Sequence, residues 1–164
     1  MLLSSRKARA MYPGGRADPT ARRLASWWAS YIAGGWMPKR WVTLEVPGRC
    51  SGQIRRFPLG MADVAGEWFL VSMLGPDCHW VRNVRAASGR VVLTQRRRSR
   101  PCRLVEVPVE RRAAILRRYV AKVPGGRPHI PVDRNAPLDE FAAIAERYPV
   151  FKVVADRADP GEAR

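Results

Sequence analysis

The sequence predicts an α+β protein, an antiparallel β-barrel of about six strands with helices on its periphery. Short stretches of alternating apolar and polar residues recur along the chain, and Gly-, Pro- or Arg-rich turns separate them. Helical patterns are inserted at irregular intervals, not after every strand, which disfavours a doubly wound parallel sheet. At 164 residues the chain is most simply one domain, long enough to bury a continuous core without disulfides or metal.

Residues 1–19 mix Arg, Gly and Pro without periodicity and read as a disordered basic N-terminus. The segment 20–37 follows as an amphipathic, Trp-rich helix: Thr20 is placed to cap it, Leu24, Trp27, Trp28, Tyr31 and Ile32 recur at helical spacing, and Gly34-Gly35 ends it. Two readings fit that apolar stripe. It packs on the body of the domain, or it lies in a membrane interface beside Arg22 and Arg23.

The barrel is expected over residues 38–155. Trp41 to Val46 alternates as a strand, and Arg55 to Ala62 and Glu67 to Leu74 read as two more, joined at Ala65-Gly66. A short helix is expected in DCHWVRNVRAASG, with Trp80, Val81 and Val84 on one side and Gly89 as its stop. Strands follow at Arg90 to Gln95 and Arg103 to Val107, with RRRSRP as a basic hairpin tip between them. Glu110 to Lys122 reads as an amphipathic helix with Ala114, Ile115, Leu116 and Tyr119 inward, then PGGRPHIP as irregular chain. A helix over Asp139 to Arg147, a closing strand over Val150 to Val154 and a frayed tail over 156–164 complete the expectation.

Charge narrows the partners. A formal net charge of +16 points to an anionic one: nucleic acid, a negative membrane surface, or a ligand rich in phosphate and carboxylate. Cys50, Cys78 and Cys102 are odd in number and contain no C-x-x-C pair, so they suggest neither a disulfide framework nor a zinc site. A reducing cytoplasm is the simplest compartment. Met1 to Ala10 lacks the apolar core of a signal peptide, and no run approaches the ~18 apolar residues of a spanning helix.

The most informative stretch is Gly48 to Leu59, GRCSGQIRRFPL, which holds three arginines, two glycines and a serine in twelve residues. Glycine lets a backbone approach a ligand, exposed N–H groups form an anion nest, and arginine matches phosphate with a two-pronged fork. A phosphate-bearing ligand is one reading. A basic β-hairpin with turn glycines and solvated arginines is the other. His79 and His129 are the only histidines, no G-x-S-x-G elbow is present, and no carboxylate pair suits glycosidic chemistry. What remains is a reaction carried by an organic cofactor that the protein binds and orients.

GRCSGQIRRFPL resembles the GRKSGxxRxxPL motif of the deazaflavin (F420)-dependent nitroreductase family of actinobacteria, and SMLGPDCHWVRNVRAASGRVVL is similar to that family's SxGGxxxxPxWxxNLxAxPxVxV segment. Their separation agrees, and the similarity runs from about Val42 to Val109. The resemblance implies a split β-barrel of the flavin-reductase type that binds coenzyme F420, a deazaflavin bearing a phosphate and a polyglutamate tail. By position, Arg49, Cys50 and Ser51 would hold phosphate and tail, and Arg55, Arg56, Phe57, Pro58, Leu59 and Gly60 would line the cofactor. Leu70, Val71, Ser72 and Met73 would meet the deazaflavin edge, and His79, Trp80, Val81, Arg82 and Asn83 would complete the site. Ser72 would supply a hydroxyl to the ring or the substrate.

The implied activity is hydride transfer to a small organic acceptor such as a quinone, nitro compound or activated alkene. This sequence departs from the pattern at Cys50 and Met73, where the family carries lysines, at Ile54 in place of a frequent proline, and at Gly60 in place of an aromatic. The lysine positions taken by Cys50 and Met73 motivate FMN or another flavin as an alternative cofactor. A non-catalytic basic module, with Arg96, Arg97, Arg98 and Arg100 on nucleic acid or anionic lipid, is the alternative of a different class. Localisation is expected to be cytoplasmic, with peripheral contact on the inner face of the membrane if Leu24, Trp27, Trp28 and Tyr31 face lipid, and the assembly a monomer or homodimer.

Overall fold

The computed structural model describes residues 39–156, with Arg23 alone ahead of them. The basic N-terminus expected over 1–19, the Trp-rich stripe of 20–37 and the tail beyond Asp156 lie outside the described residues.

Six antiparallel strands run as β1 (Trp41–Pro47), β2 (Ile54–Val64), β3 (Glu67–Val71), β4 (Arg90–Gln95), β5 (Arg98–Glu106) and β6 (Val150–Ala155). Their order β1-β2-β3-β6-β5-β4 closes on itself, because β1 also pairs with β4 through Thr43↔Thr94 and Glu45↔Val92. A closed sheet has no free edge, so every strand finds two partners. Among residues 39–156 three α-helices are added: α1 (His79–Ala86), α2 (Ala113–Lys122) and α3 (Leu138–Ile144).

Strand alternation separates two cores. Val42, Leu44 and Val46 of β1, Met61 of β2, Leu70 of β3, Val91 and Leu93 of β4, Leu104 of β5 and Phe151 of β6 fill the interior. Helix α1 carries the chain from β3 to β4, two strands that are not neighbours in the ring, so it must cross one end of the barrel. Its Trp80, Val81 and Val84 plug that end, with Trp80 tilted 60° against Phe151 at 5.5 Å. Outside the wall, Ala62, Phe69, Val71 and Val150 meet Ile115, Leu116, Tyr119 and Val120 of α2 and Phe141 of α3.

Several boundaries differ from those read in the sequence. β5 begins at Arg98, not Arg103, so only Arg96 and Arg97 form the hairpin turn. β3 ends at Val71, which leaves Ser72 to Leu74 in the turn leading to α1. A tight turn at Val109–Arg111 precedes α2, and a second at Ala145–Arg147 follows α3. Ala114, expected inward, is exposed; the buried residue at the head of α2 is Arg112.

At the far end of β2, Asp63 accepts from Arg40 and Arg118, each at 2.9 Å, and so joins the chain before β1 to β2 and α2. The Arg118 hydrogen bond, reinforced by Arg40 against the opposing effect of burial, draws the Asp63 carboxyl from its ordinary 3.8 down to about 2. A carboxyl with a depressed folded pKa stabilises the fold above its unfolded pKa, and that contribution is lost as pH falls through the folded one. Stability is therefore expected to fall as pH drops from about 4 to about 2. Asp63→Asn should flatten that limb of a pH series of thermal melts; an unchanged limb would remove Asp63 as its source.

Candidate active site

The loop joining β1 to β2 lies at the end of the barrel that α1 closes. Gly48 donates its N–H to the Gln53 carbonyl at 2.8 Å and Gly52 donates to the Gly48 carbonyl at 2.8 Å, closing a compact ring of backbone. Gly52 has φ +70°, a value that side chains disfavour, and Ser51 Oγ accepts the Gln53 N–H at 3.3 Å. Ser51 and Cys50 are exposed on this loop.

Arg49 ties the loop to the helix. Its backbone N–H and its Nη1 both donate to Asn83 Oδ1, at 3.3 and 3.0 Å, across 34 residues of sequence. His79 Nδ1 is 3.5 Å from the same Nη1. Asn83 is buried on α1, and its position there follows from the helix having turned Val81 and Val84 into the barrel. The two motifs singled out in the sequence thus meet at one point, through one guanidinium, one amide and one imidazole.

The remaining cations divide by whether a carboxylate already holds them. Arg56 donates to Glu45 at 2.9 Å, and Arg85 grips Glu106 at 2.7 and 3.2 Å. Arg55 at the start of β2 and Arg82 on α1 are exposed, and neither takes part in an ion pair among the described residues. Of Arg56, Arg82 and Arg85, Arg82 is the one that no carboxylate holds among the described residues. Arg49, Arg55 and Arg82 carry guanidinium groups of the kind that binds an oxyanion, whereas the N–H groups of Gly48, Arg49 and Gly52 are already spent within the loop and on Asn83.

Other expected site residues lie deeper. Phe57 and Leu59 pack against the interior core, to which Leu70, Trp80 and Val81 belong, and Val71 and Met73 pack on the outer core. Ser72 is fully buried: its hydroxyl donates to the Gly75 carbonyl at 2.6 Å and lies 3.1 Å from Cys78 Sγ, so it fixes the turn entering α1. Burial also pushes the Cys78 thiol pKa up. Pro58 sits half-buried between inward-facing Phe57 and Leu59, on the opposite face of β2. A Cβ on buried Gly60 would stand 2.8 Å from Val123 Cγ1, so glycine here makes room for the residue that ends α2.

Ile54, noted in the sequence only as standing in place of a frequent proline, is 56% exposed beside Arg55 and offers apolar surface next to the cations. A separate cleft of about 370 Å³, lined by Trp68, Arg100, Cys102 and Lys152 among others, opens at the opposite end of the barrel.

Comparison with known proteins decides the assignment. Residues 22–138 match the family described as F420H(2)-dependent quinone reductase. The chain belongs to that family. This F420H(2)-dependent quinone reductase relative is accordingly an oxidoreductase, and its cofactor is coenzyme F420. No match was found among curated proteins.

Among solved structures, the chain is similar to an F420-H2 dependent reductase at 24% identity, covering 71% of this chain and 96% of the other, with a TM-score of 0.48. A domain-swapped dimer matches at 22% identity, 83% and 99% coverage and TM-score 0.50. A protein of unknown function from Agrobacterium tumefaciens matches at 12% identity, 86% and 56% coverage and TM-score 0.54. The last two similarities establish the shared fold.

Proposed function

We propose that this chain reduces a quinone with coenzyme F420, held by the acidic handle of that cofactor at the Arg49–Asn83 junction. The observation that supports the reading most directly is the double hydrogen bond from Arg49 to Asn83 Oδ1, which aims a guanidinium without neutralising it. An amide partner leaves the full positive charge for a ligand, whereas a carboxylate would have consumed it. Exposed Arg55, at the start of β2, and exposed Arg82, beside Asn83 in the sequence of α1, add charge, and the glycines of the Gly48–Gly52 loop allow close approach.

The reduced deazaflavin, when bound, supplies the hydride. The protein's contribution is placement. Arg49, Arg55 and Arg82 fix the phosphate and glutamate end, and exposed Ile54 gives the ring an apolar neighbour. Ser72 acts indirectly, by holding the Gly75 turn from which α1 and its Asn83 start. His79 stands beside Arg49, where its imidazole is placed to contact the bound ligand. The family description favours a quinone acceptor over a nitro compound or activated alkene.

Parallel titrations with F420, FMN and NADPH, followed by turnover of reduced F420 with a soluble quinone and a nitroaromatic, test this reading. Tight binding of F420 alone and faster turnover of the quinone are expected. Equal affinity for FMN, or no binding of any of the three at micromolar concentration, would overturn it.

A further inference from the structure

At the end of the barrel away from Arg49, the wall parts between β3 and β6. These two strands are paired through Phe69↔Lys152, Leu70↔Phe151 and Val71↔Val150, whereas β6 runs on along β5 as far as Ala155↔Cys102. Continued toward that end, the β3–β6 register would set Trp68 against Val153 and Glu67 against Val154. Those four residues instead line the cleft of about 370 Å³, with Arg100 and Cys102 among the others. The volume lies near the lower end of the ~300–1,000 Å³ typical of small-molecule pockets, room for one or two fused rings.

Alternation along β5 places a cation in this cleft. Cys102 and Leu104 belong to the interior core, Arg100 shares their side of the strand, and its partner across the β4–β5 ladder is Leu93, fully buried in the same core. Arg100 is exposed and enters no ion pair among the described residues. Its neighbours are spent: Lys152 is held by Glu67, and Arg40 by Asp63 at 2.9 Å. Arg40 also lies 5.8 Å from the centre of the Trp68 ring, which fixes the indole from one side. The Cys102 thiol, 1% exposed, makes an uncharged floor: burial pushes its pKa up, the Arg100 charge draws it down and the Asp156 charge pushes it up. Asp156 therefore stands close enough to oppose a second negative charge in the cleft.

We propose that this cleft binds a small aromatic monoanion, its ring between Trp68 and Val153 and its oxyanion on the Arg100 guanidinium. A planar ring fits a slot one of whose walls is an indole already held in place, and the arginine fork matches a carboxylate. An uncharged aromatic would leave Arg100 to water. A dianion would carry its second charge toward Asp156, and an inorganic anion would leave Trp68 and Val153 uncovered. The cleft is separate from the Arg49–Asn83 junction, so the inference stands whichever acceptor the enzyme reduces.

The test uses the full chain saturated with F420, so that the cofactor's own anion contacts are filled, and titrates it calorimetrically with 2-naphthoate and with the uncharged 2-naphthamide. The acid should bind about tenfold more tightly than the amide, the difference made by one charge-assisted contact. Arg100→Gln should erase that preference while leaving F420 affinity and turnover of a soluble quinone intact. Ala155→Leu, at an exposed position in the cleft wall, should weaken both probes about tenfold by filling the slot. Naphthoate should not compete with the quinone. Equal affinity for acid and amide, an acid preference that survives Arg100→Gln, undiminished binding to Ala155→Leu, competition with the quinone, or no binding of either probe at millimolar concentration would each overturn the proposal.

Discussion

Arg49→Ala is expected to weaken F420 binding by about ten- to a hundredfold, the loss of one charge-assisted hydrogen bond at about 1.5–3 kcal/mol. The expectation rests on how this side chain is held. Asn83 accepts both from the Arg49 backbone and from its Nη1, so the guanidinium is oriented before a ligand arrives, and little rotamer entropy remains to be lost on binding. Arg56 offers the contrast: Glu45 already holds it at 2.9 Å, so Arg56→Ala should change affinity far less. If Asn83 acts by aiming Arg49, the two substitutions will not add. Asn83→Ala should cost several-fold in an otherwise unaltered chain and almost nothing once Arg49 is alanine. Calorimetric titration of the four proteins gives the coupling directly. Fully additive losses would mean that Asn83 contacts the ligand on its own account, and equal affinity of Arg49→Ala and wild type would remove the loop from the site.

The strands were legible because a barrel wall buried on one side imposes alternation. Val42, Leu44 and Val46 announce β1 in the sequence and fill the interior in the structure. Where a strand carries charge on both faces the signal vanishes. Arg98, Ser99 and Arg100 belong to β5, yet nothing in RRRSRP alternates, and only pairing with β4 reveals the strand. Within the two motifs, the sequence did not reveal which residues lie deep and which at the surface. Leu70, Trp80 and Val81 fall in the conspicuous segments because they bury the strand and helix that display Arg49's partners, not because they face solvent. The meeting of Arg49 with Asn83 depends on α1 crossing the barrel from β3 to β4, a consequence of closure that no local pattern encodes.

Arg112 is the clearest instance of a residue whose role the sequence concealed, and its replacement carries the largest expected effect on stability. Lying just ahead of α2 between exposed Arg111 and half-buried Ala113, it reads as one more surface cation; it is 6% exposed. Its Nε donates to the Val107 carbonyl at 2.8 Å and its Nη1 to the carbonyls of Ala145 and Tyr148 at 3.2 and 3.4 Å, while Nη2 reaches Glu106 at 3.3 Å. One planar fork thereby satisfies carbonyls where β5 ends and where the turn after α3 ends, positions at which helices and strands leave acceptors without partners. Arg112→Met keeps the volume but strands the Val107 and Tyr148 carbonyls in a buried site, while Ala145 still accepts the Tyr148 N–H; at about 1–3 kcal/mol for each stranded carbonyl, a total loss of roughly 2–6 kcal/mol is expected. Arg112→Lys keeps the charge but not the fork, and should fall between the two. Urea melts read this as a lower midpoint at unchanged slope. Glu106 also holds Arg85 on α1, two residues from Asn83, and would keep that contact in Arg112→Met. Folded Arg112→Met should therefore still bind F420. A large affinity loss in the folded variant would show that Arg112 supports the site as well as the barrel, whereas a midpoint within error of wild type would show that its carbonyl partners turn to water instead.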